Sequence, residues 1–311
     1  MPKTGPGRSC PLHYRYSPSV FAGAPSVAAE ALYIVGGLYG NPFALEAVAA
    51  MAQREDAKLI FNGDFNWFDI DQESFATIND TVLRHAALRG NVETELSPDD
   101  PEMGCGCAYP EWVCDAEVDR SNQIMDRLRQ TASTFPQLRA RLSALPAHLV
   151  AEVGGARIGI VHGDAESLAG WKFSQENLRD EPECAQALVA DCAVDVFASS
   201  HTCLPVLQNV PGLRKPVLIA NNGAAGMPNF AGANFGLATR IALTPSRQAL
   251  YGGQVGRAYV EALPVRYDHY KWIAHFDHIW PENSPASLSY RKRILSGPAY
   301  QPAEAMRLHS P

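Results

Sequence analysis

The chain has 311 residues, 46% hydrophobic and 19% charged, enough for one large domain or two small ones with a real apolar core. A net charge of -7 with no basic stripe argues against general nucleic-acid binding, and the densest basic run, Arg291-Lys292-Arg293, reads as a solvated surface patch. No segment is apolar enough for a membrane span or a signal peptide, and seven cysteines, an odd number, suit reduced thiols in the cytoplasm.

An irregular leader occupies residues 1–30. Periodicity then predicts a strand at 31–36 and a helix at 43–54, with Gly36-Gly37 and a Gly40-Asn41 turn between them. A strand at 58–62, a loop at 63–71, a helix near 72–84 and a short strand at 86–89 follow. Residues 94–116, rich in Pro, Asp and Cys, read as an inserted loop. Helices at about 117–132 and 135–144 precede strands 147–153 and 157–161, which pair around Gly154-Gly155. After a loop at 162–171 come helical stretches to about 192 and strands at 194–198, 204–209 and 216–220. Residues 235–243 and 247–251 continue in β style, a helix starts near Asp268, and the tail from 281 is Pro-rich and loosely ordered. Alternation of strand and helix early, with mostly strands later, suits two packed sheets with helices outside. The main domain then spans 31–265, with 266–311 a helix and tail packing on it.

Five polar clusters sit just after predicted strands: GGLYGN (36–41), NGDFNWFD (62–69), RGNVE (89–93), VHGD (161–164) and SSHTC (199–203). Loops that follow strands meet at one edge of a sheet, so Asp64, Asn91, His162 and His201 are candidates to converge. Each alone reads as a turn residue, a cap or a hydrogen-bonded histidine. Four of them at successive strand ends are better explained as one site. A carboxylate, an amide oxygen and two imidazoles suit a divalent transition metal such as Zn, Fe or Mn.

The order of these clusters resembles the calcineurin-like metallophosphoesterase superfamily over about residues 31–230, whose blocks read D-x-H-G-N, G-D-x-x-D/N, G-N-H-E/D, H-G and G-H-x-H. The second block matches at Gly63-Asp64, the third at Gly90-Asn91 with Glu93, the fourth at His162-Gly163 and the fifth at His201-Thr202. YGNPFALEAV resembles the helix start after the first block, and NNGAAGMP (221–228) takes the place of the family's N-P-G-S turn. The resemblance implies a four-layer α/β/β/α sandwich of two mixed β-sheets flanked by helices, and hydrolysis of small-molecule phosphate mono- or diesters. It also implies two metals about 3.5 Å apart that share the second block's aspartate.

The departures fall into a pattern. Gly37 and Tyr39 stand where the family has metal-binding Asp and His, and Cys203 where it has the second His of the last block. All three belong to one metal position; the other keeps Asp64, Asn91, His162 and His201. Val92 replaces the histidine that protonates the leaving group. One metal can still polarise a phosphoryl oxygen, but leaving-group protonation is typically worth roughly 100- to 10,000-fold. A slow phosphoesterase, or one restricted to good leaving groups, is therefore expected, with one or two ions per chain.

Several readings stay open at this level. Tyr39 and Cys203 are candidate catalytic residues that can rebuild a second site as phenolate and thiolate, or simply fill the vacated space. Cys105, Cys107 and Cys114 can bind a metal, pair as a disulfide or form a lid. Trp67, Phe68 and Trp171 can wall the substrate or merely pack, and His275 and His278 can bind a metal or lie on an amphipathic face. The alternative to an enzyme is a catalytically degenerate protein that binds a metal or a phosphate ligand. A weaker third reading is redox sensing through Cys105, Cys107, Cys114 and Cys203. A homo-oligomer is left open.

Overall fold

The computed structural model describes residues 4–96, 104–190 and 192–308. Parts of the expected leader, the Cys-rich insert and the tail (1–3, 97–103 and 309–311) lie outside the described residues, as does Asp191 at the end of the expected helical stretch.

Strands and helices alternate through β1 (Val27–Ala28), β2 (Ala31–Val35), α1 (Pro42–Arg54), β3 (Lys58–Asn62), α2 (Gln72–Val82), β4 (Ala86–Leu88) and α3 (Asn91–Glu95). Helices α4 (Asp115–Ser133) and α5 (Pro136–Ser143) lead to the hairpin of β5 (His148–Val153) and β6 (Ala156–Val161). Then follow α6 (Gln175–Asp180), α7 (Pro182–Val189), β7 (Val196–Ser199), β8 (Val206–Val210) and β9 (Val217–Asn221). The chain closes with β10 (Gly236–Ala242), β11 (Tyr251–Val255), β12 (Ala258–Val265), α8 (His269–Ile279), α9 (Pro285–Ser296), α10 (Pro302–Ala305) and β13 (Met306–Arg307).

The strands form two mixed sheets, ordered β1-β5-β6-β7-β9-β8-β13 and β11-β12-β10-β2-β3-β4. Side-chain alternation explains why both are buried on two faces. Leu32 and Ile34 of β2 join Ile158, Val196 and Leu218 of the other sheet in one core between the sheets. Tyr33 and Val35 point the opposite way, into a core shared with α1, α2 and α4. Phe197 and Ile219 likewise face α6 and α7. The result is the four-layer α/β/β/α sandwich. Among the described residues no helix is long and apolar enough to cross a membrane.

The expected elements mostly stand, with shifts at their ends. The segment expected at 204–209 is Val206–Val210, that at 247–251 is Tyr251–Val255, and β12 was not foreseen. The leader is not wholly irregular, because β1 pairs in parallel with β5. The larger correction is the tail. It holds α9, α10 and β13, the last pairing with β8. The prolines read as breakers are helix starts: Pro285 and Pro302 occupy the first turns of α9 and α10, where a missing N–H costs nothing. Ser284 completes the signal by accepting from Ser287 N at 3.4 Å.

Candidate metal centre

Asp64 follows β3 through a turn in which Gly63 has φ +74° and Asp64 φ +50°. A Cβ on Gly63 would stand 2.6 Å from Gly90 N, so the turns after β3 and β4 pack backbone against backbone. The buried Glu93 carboxylate fastens them, accepting from Asp64 N (2.8 Å), Gly90 N (2.9 Å) and Asn66 N (3.2 Å). Burial, reinforced by the Asp64 charge, raises its pKa to about 7. Glu93 is thus a strut of the site.

Asp64 and Asn91 come from the ends of β3 and β4 in one sheet, His162 and His201 from the ends of β6 and β7 in the other, and all four are buried. His162 Nε2 lies 3.2 Å from Asp64 Oδ2, 3.1 Å from Asn91 Oδ1 and 3.2 Å from His201 Nδ1. The surrounding hydrogen bonds fix which atoms face inward. His162 Nδ1 donates to the Asn62 carbonyl (2.9 Å), and His201 Nε2 donates to the Cys107 carbonyl (2.9 Å). Asn91 Nδ2 donates to the Cys105 carbonyl (2.9 Å). The opposite atoms, His162 Nε2, His201 Nδ1 and Asn91 Oδ1, are therefore lone-pair atoms, gathered with Asp64 Oδ2 around His162 Nε2. With both imidazoles neutral, four acceptors converge in a buried space with no donor among them, an arrangement that a cation satisfies. The outward N–H bonds are those that orient metal-binding histidines. Burial pushes His162 down, but the adjacent Asp64 carboxylate outweighs it and the net shift is upward; burial and His162 together lower His201 to about 3. Among the described residues, Asp64, His162 and His201 are the group whose ligand atoms meet closely enough to hold an ion.

At the second position the ring of Tyr39 occupies the space that a side chain at 37 would need: a Cβ on Gly37 would stand 2.9 Å from Tyr39 Cε2. The Tyr39 hydroxyl and the Cys203 sulfur are 2.8 Å apart. Burial raises the pKa of both, so at neutral pH they form an uncharged pair, suited to donating hydrogen bonds rather than to supplying anionic ligands.

A cavity of about 210 Å³ opens on Asp64, Asn91 and His201 and on this pair, with His162 fully buried behind them. Trp67 and Trp171 line it, whereas Phe68 packs in the core against Trp272 and Phe276. The Cys-rich insert contributes chiefly backbone, through the carbonyls of Cys105 and Cys107 that orient Asn91 and His201. No disulfide joins the described cysteines; Cys105 and Cys107 are buried and Cys114 is exposed. The leader holds the insert in place: Arg8 donates to the carbonyls of Pro110 (2.9 Å) and Val113 (2.7 Å). His275 lies 3.3 Å from Ser74 Oγ and joins no ligand group among the described residues.

Sequence reasoning missed Arg293. The basic run splits: Arg291 pairs with Asp277 (2.8 and 2.9 Å), Lys292 is exposed, and Arg293 lines the cavity. Only the tertiary position of α9 reveals this.

No protein-family model and no curated protein matches the chain. Among solved structures it is similar to a hypothetical protein from Pyrococcus horikoshii OT3 (14% identity, TM-score 0.55) and to a metallophosphoesterase from Sphaerobacter thermophilus (16% identity, TM-score 0.54). Each likeness covers 86% of this chain and 100% of the other. With its two helix-flanked sheets and the polar cluster at their shared edge, the chain shares the fold of that Sphaerobacter metallophosphoesterase.

Proposed function

We propose that the protein is a hydrolase of small-molecule phosphate esters that works with a single divalent transition metal held by Asp64, Asn91, His162 and His201. The observation that carries this reading is the convergence of their four lone pairs, each oriented by a hydrogen bond on its far side. An ion bound there supplies Lewis acidity, polarising a phosphoryl oxygen and lowering the pKa of water. The chain does the positioning. Asp64 is held through Oδ1 by Val92 N at 3.2 Å, leaving Oδ2 to face the ion. His201, kept neutral by burial, offers a lone pair across the neutral pH range. Trp171, whose indole N–H donates to the Cys107 carbonyl at 3.0 Å, packs on the His201 ring and shields it from water. Tyr39 and Cys203, hydrogen-bonded to each other, form the neutral wall opposite.

The test is a panel of generic phosphate esters assayed on purified protein, before and after chelation, beside Asp64→Ala and His201→Ala. Hydrolysis that disappears with the chelator and in both variants is expected. Hydrolysis unchanged in both variants overturns the reading, and a metal-loaded protein inert toward every ester indicates the degenerate binding protein instead.

A further inference from the structure

Arg293 reaches the cavity from the last turns of α9 and is partly buried. Its Nη2 donates to the Cys203 carbonyl at 2.7 Å and to Asn229 Oδ1 at 3.3 Å, and its Nε donates to the Pro228 carbonyl at 3.1 Å. Those partners are neutral. Among the described residues no carboxylate pairs with Arg293, and Nη1 has no protein partner. Of the two acidic groups lining the cavity, Asp64 belongs to the metal centre and Glu117 is engaged by Arg120 Nη2 at 2.6 Å. A guanidinium without a counter-ion, anchored on one edge and bordering the cavity, is a ready site for a dianion. It is tied to the backbone of Cys203, one of the residues standing at the abandoned metal position.

The rest of the cavity restricts the organic group. Tyr109, Trp171, Trp67 and Tyr290 give it flat apolar walls, and Trp171 packs on Tyr109 with ring centroids 6.0 Å apart. Its volume of about 210 Å³ is below the roughly 300 Å³ where sites for drug-sized ligands begin. Val92 lines it where a proton donor would serve a poor leaving group. Burial holds the Tyr109 and Tyr290 phenols far above neutral, so they bind oxygen better than they release protons.

We propose that Arg293 supplies the positive charge lost with the second metal, gripping the phosphoryl oxygens, and that the substrate is a compact aryl phosphomonoester. The aryl class deepens the hydrolase reading and rests on it. Water adds to phosphorus through its oxygen, and the P–O(aryl) bond breaks with its electron pair on the aryl oxygen. The proton of the water passes to solvent, leaving phosphate and a phenolate. A phenol of pKa about 10 is acidic enough to leave unprotonated, so Val92 is tolerable.

The test is calorimetric binding of phenylphosphonate, methylphosphonate and AMP to the metal-loaded full chain, in wild type, Arg293→Ala and Arg293→Gln. Phenylphosphonate should bind at least about tenfold more tightly than methylphosphonate, given the aromatic walls, and AMP should not compete. Both variants should lose about 10- to 100-fold in phenylphosphonate affinity at unchanged metal content. Arg293→Gln retains an amide donor for the Cys203 carbonyl, so it carries the test if Arg293→Ala misfolds. A folded variant that binds like wild type overturns the role of Arg293; equal binding of the two phosphonates, or tight binding of AMP, overturns the substrate class. Arg293-dependent phosphonate binding in a protein that hydrolyses no ester refutes the hydrolase reading and leaves Arg293 in place.

Discussion

Gly90→Ala probes the site without touching a ligand. Gly90 has φ -91°, open to any residue, so backbone strain adds nothing. Space is the constraint: an added Cβ would overlap Asp64 Oδ1 and stand 2.7 Å from Asp64 N and 3.0 Å from Asp64 Cγ. Ordinary contact begins at 3.4 Å, so the carboxylate has to move by about an ångström and the turn by several tenths. Moving the carboxylate breaks its bond from Val92 N and turns Oδ2 away from His162 Nε2. Overpacking of this kind costs about 1–3 kcal/mol of stability, and displaced support around a metal ligand costs about 10- to 100-fold in affinity. Zinc titration calorimetry, with a thermal melt to confirm folding, reads both quantities. A folded Gly90→Ala protein that binds zinc as tightly as wild type would refute the placement of Asp64 as a ligand.

Three further outcomes follow from the same geometry. Burial raises Asp69 from 3.8 to about 7, and its Oδ2 has no partner among the described residues. The folded state therefore holds a proton that the unfolded state has lost, so stability falls as pH rises from about 4 to 7; Asp69→Asn should flatten the profile in urea titrations at pH 5 and 8, and an unchanged slope contradicts the assignment. Val92→His should raise kcat on an alkyl phosphate by about 100-fold while changing an aryl phosphate little, and equal gains on both would show that protonation was not the missing step. Arg8→Ala should lower stability by about 1–3 kcal/mol and speed amide exchange across residues 104–114; unaltered exchange would mean that the leader does not hold the insert.

The ligand set was legible because each of its residues lies directly after a strand, and strand ends converge in any layered α/β fold. Asn91 was recoverable only through its company: Gly-Asn after a strand is an ordinary turn signal. The groups that orient these ligands were not legible, because the carbonyls of Asn62, Cys105 and Cys107 are backbone, present at every position whatever the side chain. Cys105 and Cys107 drew attention for their sulfur, yet it is their oxygens that face Asn91 and His201. The tail was misread because Pro285 signals a break when considered alone and a helix start when Ser284 precedes it. That error also hid Arg293, whose place at the cavity depends on how α9 packs against α4 and not on any local pattern.

The central claim is one metal position kept and the other given over to Tyr39, Cys203 and Arg293. Elemental analysis of metal per chain, on protein purified without chelator and compared with Asp64→Ala and His201→Ala, tests it most directly. The expected result is close to one transition-metal ion per wild-type chain and almost none in either variant. Two ions per chain would contradict the loss of the second position, and a metal-free wild type, or full occupancy in the variants, would contradict the centre itself.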